Sequence, residues 1–357
     1  MFKDRRLKAG DIIGIFGGGQ LARMMCFEAA KLGFRTLIYS DNENSPAFQV
    51  SSFHICADYH DKVSLTEFAN KVSAVTFEFE NIPVETLELI QNQLPLRPNS
   101  KALAVSQNRV VEKKFFNDNN IKTTSFTEVK TEQDFQIACK KYQESILKTA
   151  ILGYDGKGQF AINQDSNLAK IWQQASSLNL PLILEKKIQF DQELSIISAR
   201  SIDGKIVFYD LAKNIHQGGI LRESFFPAVV SHEIKLKAQN IAEKTLEALN
   251  YVGVLAIEFF LQGEDLLVNE FAPRPHNSGH FSLDACLHSQ FEQAIRAAAG
   301  MSVIEAELLF SGRMVNLIGD EINQLSELNQ DSSVKTHHYG KMEAKKGRKM
   351  GHYVVRG

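Results

Sequence analysis

Short apolar runs alternate with polar, glycine-bearing stretches along the chain, and the period changes where one element gives way to the next. Residues 11–16 (DIIGIF) are apolar, glycines follow, and an amphipathic stretch runs to Gly33, which predicts strand, tight turn and helix. Residues 35–40 (RTLIYS) and 72–77 (VSAVTF) read as further strands, and Pro83 opens a helix where its missing N–H is tolerated. LPLRP closes this first unit near residue 98. Residues 100–119 predict one helix with Arg109 and Lys113 a turn apart, most simply a solvated face. A Thr- and Ser-rich linker at 121–129 leads to a helix over 131–142. The strand 144–149 (ESILKT) carries Lys148 to its end, 159–162 resumes as a strand, and 182–185 (LILE) is a strand ending on Glu185. Strands over 192–202 and 205–212 flank Asp203-Gly204, a two-residue hairpin signature. A long helix over 231–250 is capped by Ser231. Strands 253–261 and 266–271 form a hairpin around Gly263, Glu264 and Asp265. A helix over 283–299, strands at 314–318, 336–339 and 353–355, and a helix near Glu321 complete the chain.

The 357 residues suffice for two or three domains, and 44% hydrophobic with 23% charged residues is ordinary for a globular enzyme. A formal net charge of −2 gives no field that would favour nucleic acid or an acidic membrane. Cys26, Cys56, Cys139 and Cys286 are far apart and form no CxxC, which fits free thiols in a reducing cytoplasm. No apolar stretch follows the basic residues at the start, so no signal peptide is expected, and no run reaches the ~18 residues of a membrane span.

The chemistry concentrates in NEFAPRPHNSGH, residues 269–280. Pairing 262 with 266 in the hairpin sets Glu258 opposite Glu270, with cross-strand Cβ atoms about 5 Å apart. Two such acids repel unless a cation lies between them, and Mg²⁺ takes one or two carboxylates plus substrate phosphates. The bland alternative is a solvated acidic pair on an edge strand. The apolar surroundings (VLAIEFFL) and the Arg-Pro-His-Asn continuation favour a metal site that leads into a substrate pocket. After Lys148, glycines 153, 156 and 158 surround Tyr154, Asp155 and Lys157, more than a hairpin turn needs, which suggests a flap whose amides close over phosphates. No Walker motif is present. Gly17, Gly19 and Ala22 fit GxGxxG/A, read either as a helix N-terminus that holds an anion or as a turn that merely packs closely. Glu78 and Glu80 follow a strand end, where open α/β sheets bind ligands. Lys341, Lys345, Lys346, Arg348 and Lys349 form a basic loop beside His337 and His338, either solvated or facing a substrate phosphate.

Together these pieces make an ATP site next to a separate anion or substrate site, and at this point the chain resembles the ATP-grasp enzymes. More closely it resembles the N5-carboxyaminoimidazole ribonucleotide synthetases, through GGGQLARM, TFEFEN, KTAILGYDGKGQ, NIHQGGILRES, AIEFF, NEFAPRPHNSGH and GRKMGH, which cover nearly the whole chain. The resemblance implies a mixed α/β and α+β fold. A Rossmann-like preATP-grasp domain would span 1–98, an ATP-grasp domain 99–300 with its flap over about 120–188, and a small β-rich C-terminal domain 301–357. It implies that ATP is bound by Arg109, Lys148, the loop of Gly153, Tyr154, Asp155, Gly156, Lys157, Gly158 and Gln159, Glu185 with Lys186, Lys187 and Ile188, Glu193, His216, Asn269 and Glu270. His216 is selected only through the resemblance. Mg²⁺, or Mn²⁺, would be held by Glu258 and Glu270. Bicarbonate would sit against Arg274, His276, Asn277 and Ser278. Aminoimidazole ribonucleotide would lie among Gly19, Gln20, Glu78 in preference to Glu80, Tyr154, Asp155, Lys157, Lys341, Arg348 and Lys349. Asp155 would hold its amino group. A homodimer, a transient contact with the mutase that consumes the product, and a cytoplasmic location are also implied.

The chain departs from the family pattern in two places. Family members often carry a further glycine or an arginine just ahead of GYDG, where Leu152 and Ile151 stand, so a somewhat stiffer flap is expected. GHYVV lies at the end of the sequence where relatives continue, so the C-terminal domain is expected to be minimal, or its tail to lie beyond the sequence. Three rivals are weighed. A formate-dependent glycinamide ribonucleotide transformylase shares the first glycine turn and the carboxylate hairpin but not PHNSGH. A nucleotide-binding dehydrogenase would use Asp41 on the cofactor ribose and leaves the hairpin unexplained. A non-catalytic nucleotide-binding regulator would have no need of Arg274, His276 and Asn277.

Overall fold

The structure is a computed structural model that describes residues 5–153 and 158–357. The expectations for Tyr154, Asp155, Gly156 and Lys157 therefore lie outside the described residues.

Strand β1 (Ile12–Phe16), helix α1 (Gln20–Lys31), β2 (Arg35–Ser40), β3 (Phe53–Cys56), α2 (Lys62–Lys71), β4 (Ala74–Phe77) and α3 (Val84–Gln91) build the first unit. Its sheet is parallel in the order β3-β2-β1-β4, the Rossmann-like arrangement expected. Gly17 has φ +93, and a Cβ there would lie 2.8 Å from the Glu78 carboxyl group. At Gly19 it would lie equally close to Glu78 Oε1, at 2.8 Å. The glycine turn thus closes on a carboxylate from the neighbouring strand end.

The expected helix over 100–119 is two helices, α4 (Ser100–Ser106) and α5 (Arg109–Asp118). Asn108 starts the second, its side chain accepting from the N–H groups of Val110 at 2.9 Å and Val111 at 3.3 Å, a cap that favours a fresh start over continuation. Strand β5 (Phe126–Val129), α6 (Glu132–Lys141), β6 (Ser145–Thr149), β7 (Gln159–Ile162), α7 (Leu168–Ser176) and β8 (Leu182–Lys186) form the flap unit, an antiparallel sheet in the order β5-β8-β6-β7. Leu152 has φ +58, a left-handed conformation that costs an L side chain ~1–2 kcal/mol.

The largest sheet takes β9 (Gln192–Arg200), β10 (Ile206–Phe208), β11 (Ala212–Gln217), β12 (Ile220–Phe226) and, after helix α8 (His232–Ala248), β13 (Gly253–Gln262) and β14 (Asp265–Ala272). The second strand expected at 205–212 is thus shorter, and a separate strand carries Asn214 and His216. Strand β12 was not expected, although Gly218 and Gly219, at φ +60 and +79, are the signature of a two-residue hairpin turn. The helix expected over 283–299 is α9 (Ser282–Ala285) and α10 (Gln290–Ala298), restarted by the Ser289 cap on Glu292 N–H at 3.0 Å. Strand β15 (Gly312–Ile318), helix α11 (Leu325–Leu328), β16 (Val334–His338) and β17 (Lys349–Arg356) follow. These last strands do not make a sheet of their own: β15 pairs with β12, so the main sheet runs β14-β13-β9-β11-β12-β15-β17-β16. A buried core joins the units, with Met24, Met25 and Ala29 of α1 in one cluster with Phe291, Ala294, Ile295 and Ala298 of α10.

Candidate active site

Glu258 and Glu270 are direct partners in the β13–β14 register. The route differs from the expected one. Gln262 pairs with Asp265 around a turn at Gly263 and Glu264, and a bulge that leaves Asn269 unopposed restores the offset. Glu270 Oε2 accepts from Arg109 Nη2 at 2.7 Å. Burial works against its charge, but Arg109 outweighs this and holds the carboxyl below its ordinary range. Burial, with Glu270 opposite, pushes Glu258 up to about 7. Asn269 Oδ1 is buried with no hydrogen-bond partner among the described residues. Two carboxylates and an orphaned amide oxygen are hard oxygen donors, a set that fits Mg²⁺ or Mn²⁺.

The neighbouring charges form one cluster. Lys148 Nζ lies 3.0 Å and Lys113 Nζ 3.5 Å from Glu185 Oε2. Lys113 is not on a solvated face as expected; its side chain is fully buried and also donates to Thr124 Oγ1 at 2.9 Å. Periodicity alone could not find this residue, because its partners come from β8 and the linker. Burial opposes the Glu185 charge, but Lys113, Lys148 and Arg109 overcome it and hold the carboxyl at about 2. Burial pushes Lys148 down, with Glu185 opposing. Glu112, beside Arg109, accepts the Phe271 N–H at 2.7 Å, and burial pushes it up to about 8. Arg109 Nη1 and Glu185 Oε1, like Asn269 Oδ1, are buried without partners among the described residues. One buried donor and two buried acceptors are thus the kind of atoms a ligand or ion satisfies.

A depressed carboxyl pKa contributes stability that is fully present above its unfolded value, about 4.3, and is lost as pH falls toward its folded value. Glu185→Gln is therefore expected to destabilise the protein by ~3–5 kcal/mol at pH 7, because two buried ammonium groups lose their counter-charge. It should also flatten the loss of stability as pH falls from 5 toward 2. Urea midpoints at several pH values for both proteins check this; unchanged acid sensitivity would refute it.

His216 Nδ1 makes a short hydrogen bond to Glu193 Oε2. Burial disfavours the imidazolium, but the Glu193 bond and the Glu258 charge raise its pKa. Lys186, Lys187 and Ile188 line a cavity of about 930 Å³ with Tyr142 and Gln262. Gly158, at φ +70, accepts the Thr149 N–H through its carbonyl at 3.1 Å, and Gln159 pairs with Lys148 in the flap sheet. Gly153 lies at the wall of a smaller cavity, about 80 Å³, lined also by Glu80, Arg109, Glu270, Arg274 and His276.

Arg274 Nη2 bonds Glu80 Oε1 at 2.8 Å, and His276 Nε2 lies 3.4 Å from Glu258 Oε1. Burial, with Arg274 and Lys349 nearby, holds His276 well below its ordinary pKa. The side chains of Asn277 and Ser278, expected to meet bicarbonate, have protein partners. Asn277 exchanges hydrogen bonds with Asn316 at 3.0 and 2.6 Å, and Ser278 Oγ bonds Ser195 Oγ at 2.8 Å and His276 Nδ1 at 2.9 Å. Both residues are buried.

Glu78 accepts the Gly19 N–H at 2.7 Å, so the anion at the start of α1 is the protein's own carboxylate. Burial raises the Glu78 pKa against that bond and against the charges of Arg274 and Lys341. Gln20 opens α1 beside it. Lys341 donates to the Lys349 carbonyl at 2.6 Å, and the Gly340 carbonyl accepts from Gln49 Nε2 at 2.8 Å, which ties the basic loop to the first unit. Lys349 acts electrostatically on Glu258 and His276. Arg348 is turned to the Glu343 carbonyl at 3.1 Å and joins none of these contacts. His337 bonds Asp284 at 2.7 Å, and its ring stacks on His352 at 4.5 Å and 13°. One ligand atom each of Asp284, His337 and His352 lies within 4.8 Å of the others.

Three family descriptions match. A ribonucleotide synthetase preATP-grasp domain covers residues 11–107, an ATP-grasp domain 114–291, and a phosphoribosylaminoimidazole carboxylase C-terminal domain 313–357. The N5-carboxyaminoimidazole ribonucleotide synthase of Brucella melitensis is 42% identical over 348 residues, 97% of this chain and 96% of that protein. The Bacillus subtilis protein of the same name is 41% identical, over 96% of this chain and 90% of its own. Among solved structures, an ADP complex of an N5-carboxyaminoimidazole ribonucleotide synthetase superposes with TM-score 0.95 at 36% identity, covering 99% of this chain and 94% of that one. An Aspergillus clavatus synthase in complex with ADP and 5-aminoimidazole ribonucleotide superposes with TM-score 0.88 at 27% identity, covering 98% and 94%. Among the described residues no helix is long and apolar enough to cross a membrane.

Proposed function

The chain belongs to the family of N5-carboxyaminoimidazole ribonucleotide synthases, and from that premise we propose which of its residues carry the reaction and how. It is an ATP-grasp ligase of purine biosynthesis that carboxylates aminoimidazole ribonucleotide with the energy of ATP. Bicarbonate is the carbon donor in this reading. It is a poor electrophile, so phosphoryl transfer must first convert it to carboxyphosphate, whose phosphate is a good leaving group. The amine then attacks the activated carbon, or the CO₂ released from it.

The observation that carries this reading is the continuity of one segment, from the end of β14 into the loop that follows it. Glu270, opposite Glu258, runs within a few residues into Arg274 and His276, so the nucleotide's phosphate end and a small-anion site share a wall. Lys148 and Arg109 would neutralise phosphoryl oxygens as charge shifts between them. Glu258 and Glu270, with Asn269 Oδ1, would hold Mg²⁺ or Mn²⁺, which when bound neutralises further phosphate charge. Glu193 and His216, with the segment Glu185, Lys186, Lys187 and Ile188, would take the nucleoside. Arg274 would release Glu80 and hold bicarbonate through two parallel N–H bonds, a geometry an ammonium cannot copy. His276 would add a third. Lys341 and Lys349 would meet the phosphate of the ribonucleotide. Tyr154, Asp155 and Lys157 are assigned to the ribonucleotide, and Asp155 to its amino group, by resemblance alone, as is the closure that keeps water from carboxyphosphate. A homodimer and a transient contact with the product's mutase complete the reading; a monomer in light scattering at working concentration would remove the first.

The testing experiment is phosphate release from Mg-ATP with each substrate omitted in turn. Release that requires both bicarbonate and aminoimidazole ribonucleotide is expected. Release that ignores aminoimidazole ribonucleotide but responds to another amine would overturn the substrate assignment.

A further inference from the structure

Beneath the Arg274–Ser278 loop, three neighbouring strands place polar side chains in a file where apolar ones would pack at lower cost. Ser224 of β12 donates from Oγ to Asn214 Oδ1 of β11 at 2.8 Å. Asn214 donates from Nδ2 to Ser195 Oγ of β9 at 3.0 Å. Ser195 Oγ meets Ser278 Oγ at 2.8 Å, and Ser278 Oγ meets His276 Nδ1 at 2.9 Å. Ser195, Asn214, Ser224 and Ser278 are each at most 3% exposed. Each link of this file joins one donor to one acceptor.

The direction of the file follows from its end. The backbone N–H of Ser278 also points at His276 Nδ1, at 3.3 Å, and an amide N–H can only donate. Nδ1 is therefore the ring's acceptor and the proton sits on Nε2. There it faces Glu258 Oε1, an atom of a carboxylate, at 3.4 Å. With Nδ1 accepting, the Ser278 hydroxyl donates to it. The Ser278 oxygen then accepts from Ser195, Ser195 from Asn214, and Asn214 from Ser224. The reverse direction would set Nδ1–H against the Ser278 N–H and aim a lone pair at Glu258.

We propose that Ser195, Asn214 and Ser224 are positioning residues of the ligase reaction: through Ser278 they lock His276 as its Nε2–H tautomer, so that it serves bicarbonate and carboxyphosphate as a hydrogen-bond donor and not as a base at that nitrogen. This rests on the reading of His276 as a bicarbonate contact. It makes Ser278 part of the support for that contact, in keeping with its complete burial. The polar file inside the sheet is then explained by the tautomer at its end, in the way outer partners fix metal-bound histidines.

Substitutions at Ser195 and Asn214, with His276→Gln as reference, test it. Ser195→Ala removes the donor to Ser278, and Ser195→Thr keeps the hydroxyl. Asn214→Asp replaces an amide donor by a group that only accepts when ionised, which invites the file to run backwards. Histidine ¹⁵N chemical shifts, with the His276 signals assigned by their absence in His276→Gln, read the tautomer, while kinetics and the melting temperature are recorded on the same samples. Wild type should show Nε2–H. Asn214→Asp should shift His276 toward Nδ1–H. Both Asn214→Asp and Ser195→Ala should raise the KM for bicarbonate about tenfold, the equivalent of ~1.4 kcal/mol, with the KM for ATP unchanged and Ser195→Thr restoring the wild-type value. If bicarbonate KM rises in His276→Gln while tautomer and KM stay unmoved in Asn214→Asp and Ser195→Ala, the inference fails and the site reading stands. If His276→Gln leaves bicarbonate KM normal, both fail together.

Discussion

Arg274→Lys is expected to lower kcat/KM for bicarbonate ~10²–10³-fold, the usual consequence of losing one well-placed donor to a reacting oxyanion. The charge is kept, so a loss of this size would report the two-point guanidinium geometry rather than electrostatic attraction alone. The KM for ATP should change little, because the partners of Arg274 are Glu80 and its own loop, not the Lys148–Glu185 cluster. Arg274→Ala adds a second effect. Glu80 is pushed up by burial and held down first by Arg274, so removing the arginine leaves a part-buried acid without its partner. Because the Arg274 side chain is 20% and that of Glu80 31% exposed, the expected stability loss is ~1–2 kcal/mol, below that of a fully buried pair broken from one side. Adding Glu80→Gln should return much of that stability while leaving activity low. Melting temperatures and phosphate release on the three proteins separate the two effects. Full bicarbonate kinetics in Arg274→Lys would remove Arg274 from the anion site.

Glu270→Gln should have the other large effect, a fall in kcat of ~10²–10³-fold with a marked rise in the Mg²⁺ concentration needed for half-maximal rate. Two roles are lost together. The carboxylate is one of only two set face to face in the hairpin, and it also anchors Arg109 at 2.7 Å. Glu258→Gln removes the first role without the second, since its neighbour is His276 and not a permanent cation. The pair of variants is therefore diagnostic. Both should shift the Mg²⁺ dependence, and Glu270→Gln alone should lose substantial stability. An unchanged Mg²⁺ requirement in both would contradict the metal assignment.

Much of the site is legible along the chain because its residues sit on elements with strong local signals. The strand at Gln159–Ile162 appears at its expected bounds, and Lys148 arrives at the end of its strand. The opposition of Glu258 and Glu270 also emerges as expected, although a shorter turn and a bulge at Asn269 replace the longer loop. The two errors cancel because the buried face of the hairpin fixes which side chains must share a side, and a one-residue slip would turn the carboxylates away from each other. Helix boundaries were less legible. Asn108 and Ser289 each restart a helix through a side-chain cap, a choice that a hydrophobic period running through both halves does not reveal.

What the sequence determined by itself is the list of chemical parts and the local element that carries each. It determined the acids of the hairpin, the lysine at a strand end, the glycines that admit a close approach, and the loop with Arg274 and His276. Only the tertiary structure decided their partners. It buried Lys113 against Glu185, gave Glu78 to the Gly19 amide and Glu80 to Arg274, turned Asn277 and Ser278 inward, and continued the main sheet into the last strands through β12 and β15. The physical reason is range. Periodicity and capping are settled within a few residues, where backbone geometry dictates the neighbours. Ion pairs and buried hydrogen-bond files join residues distant in sequence, and their pairing depends on which surfaces meet when the sheets pack.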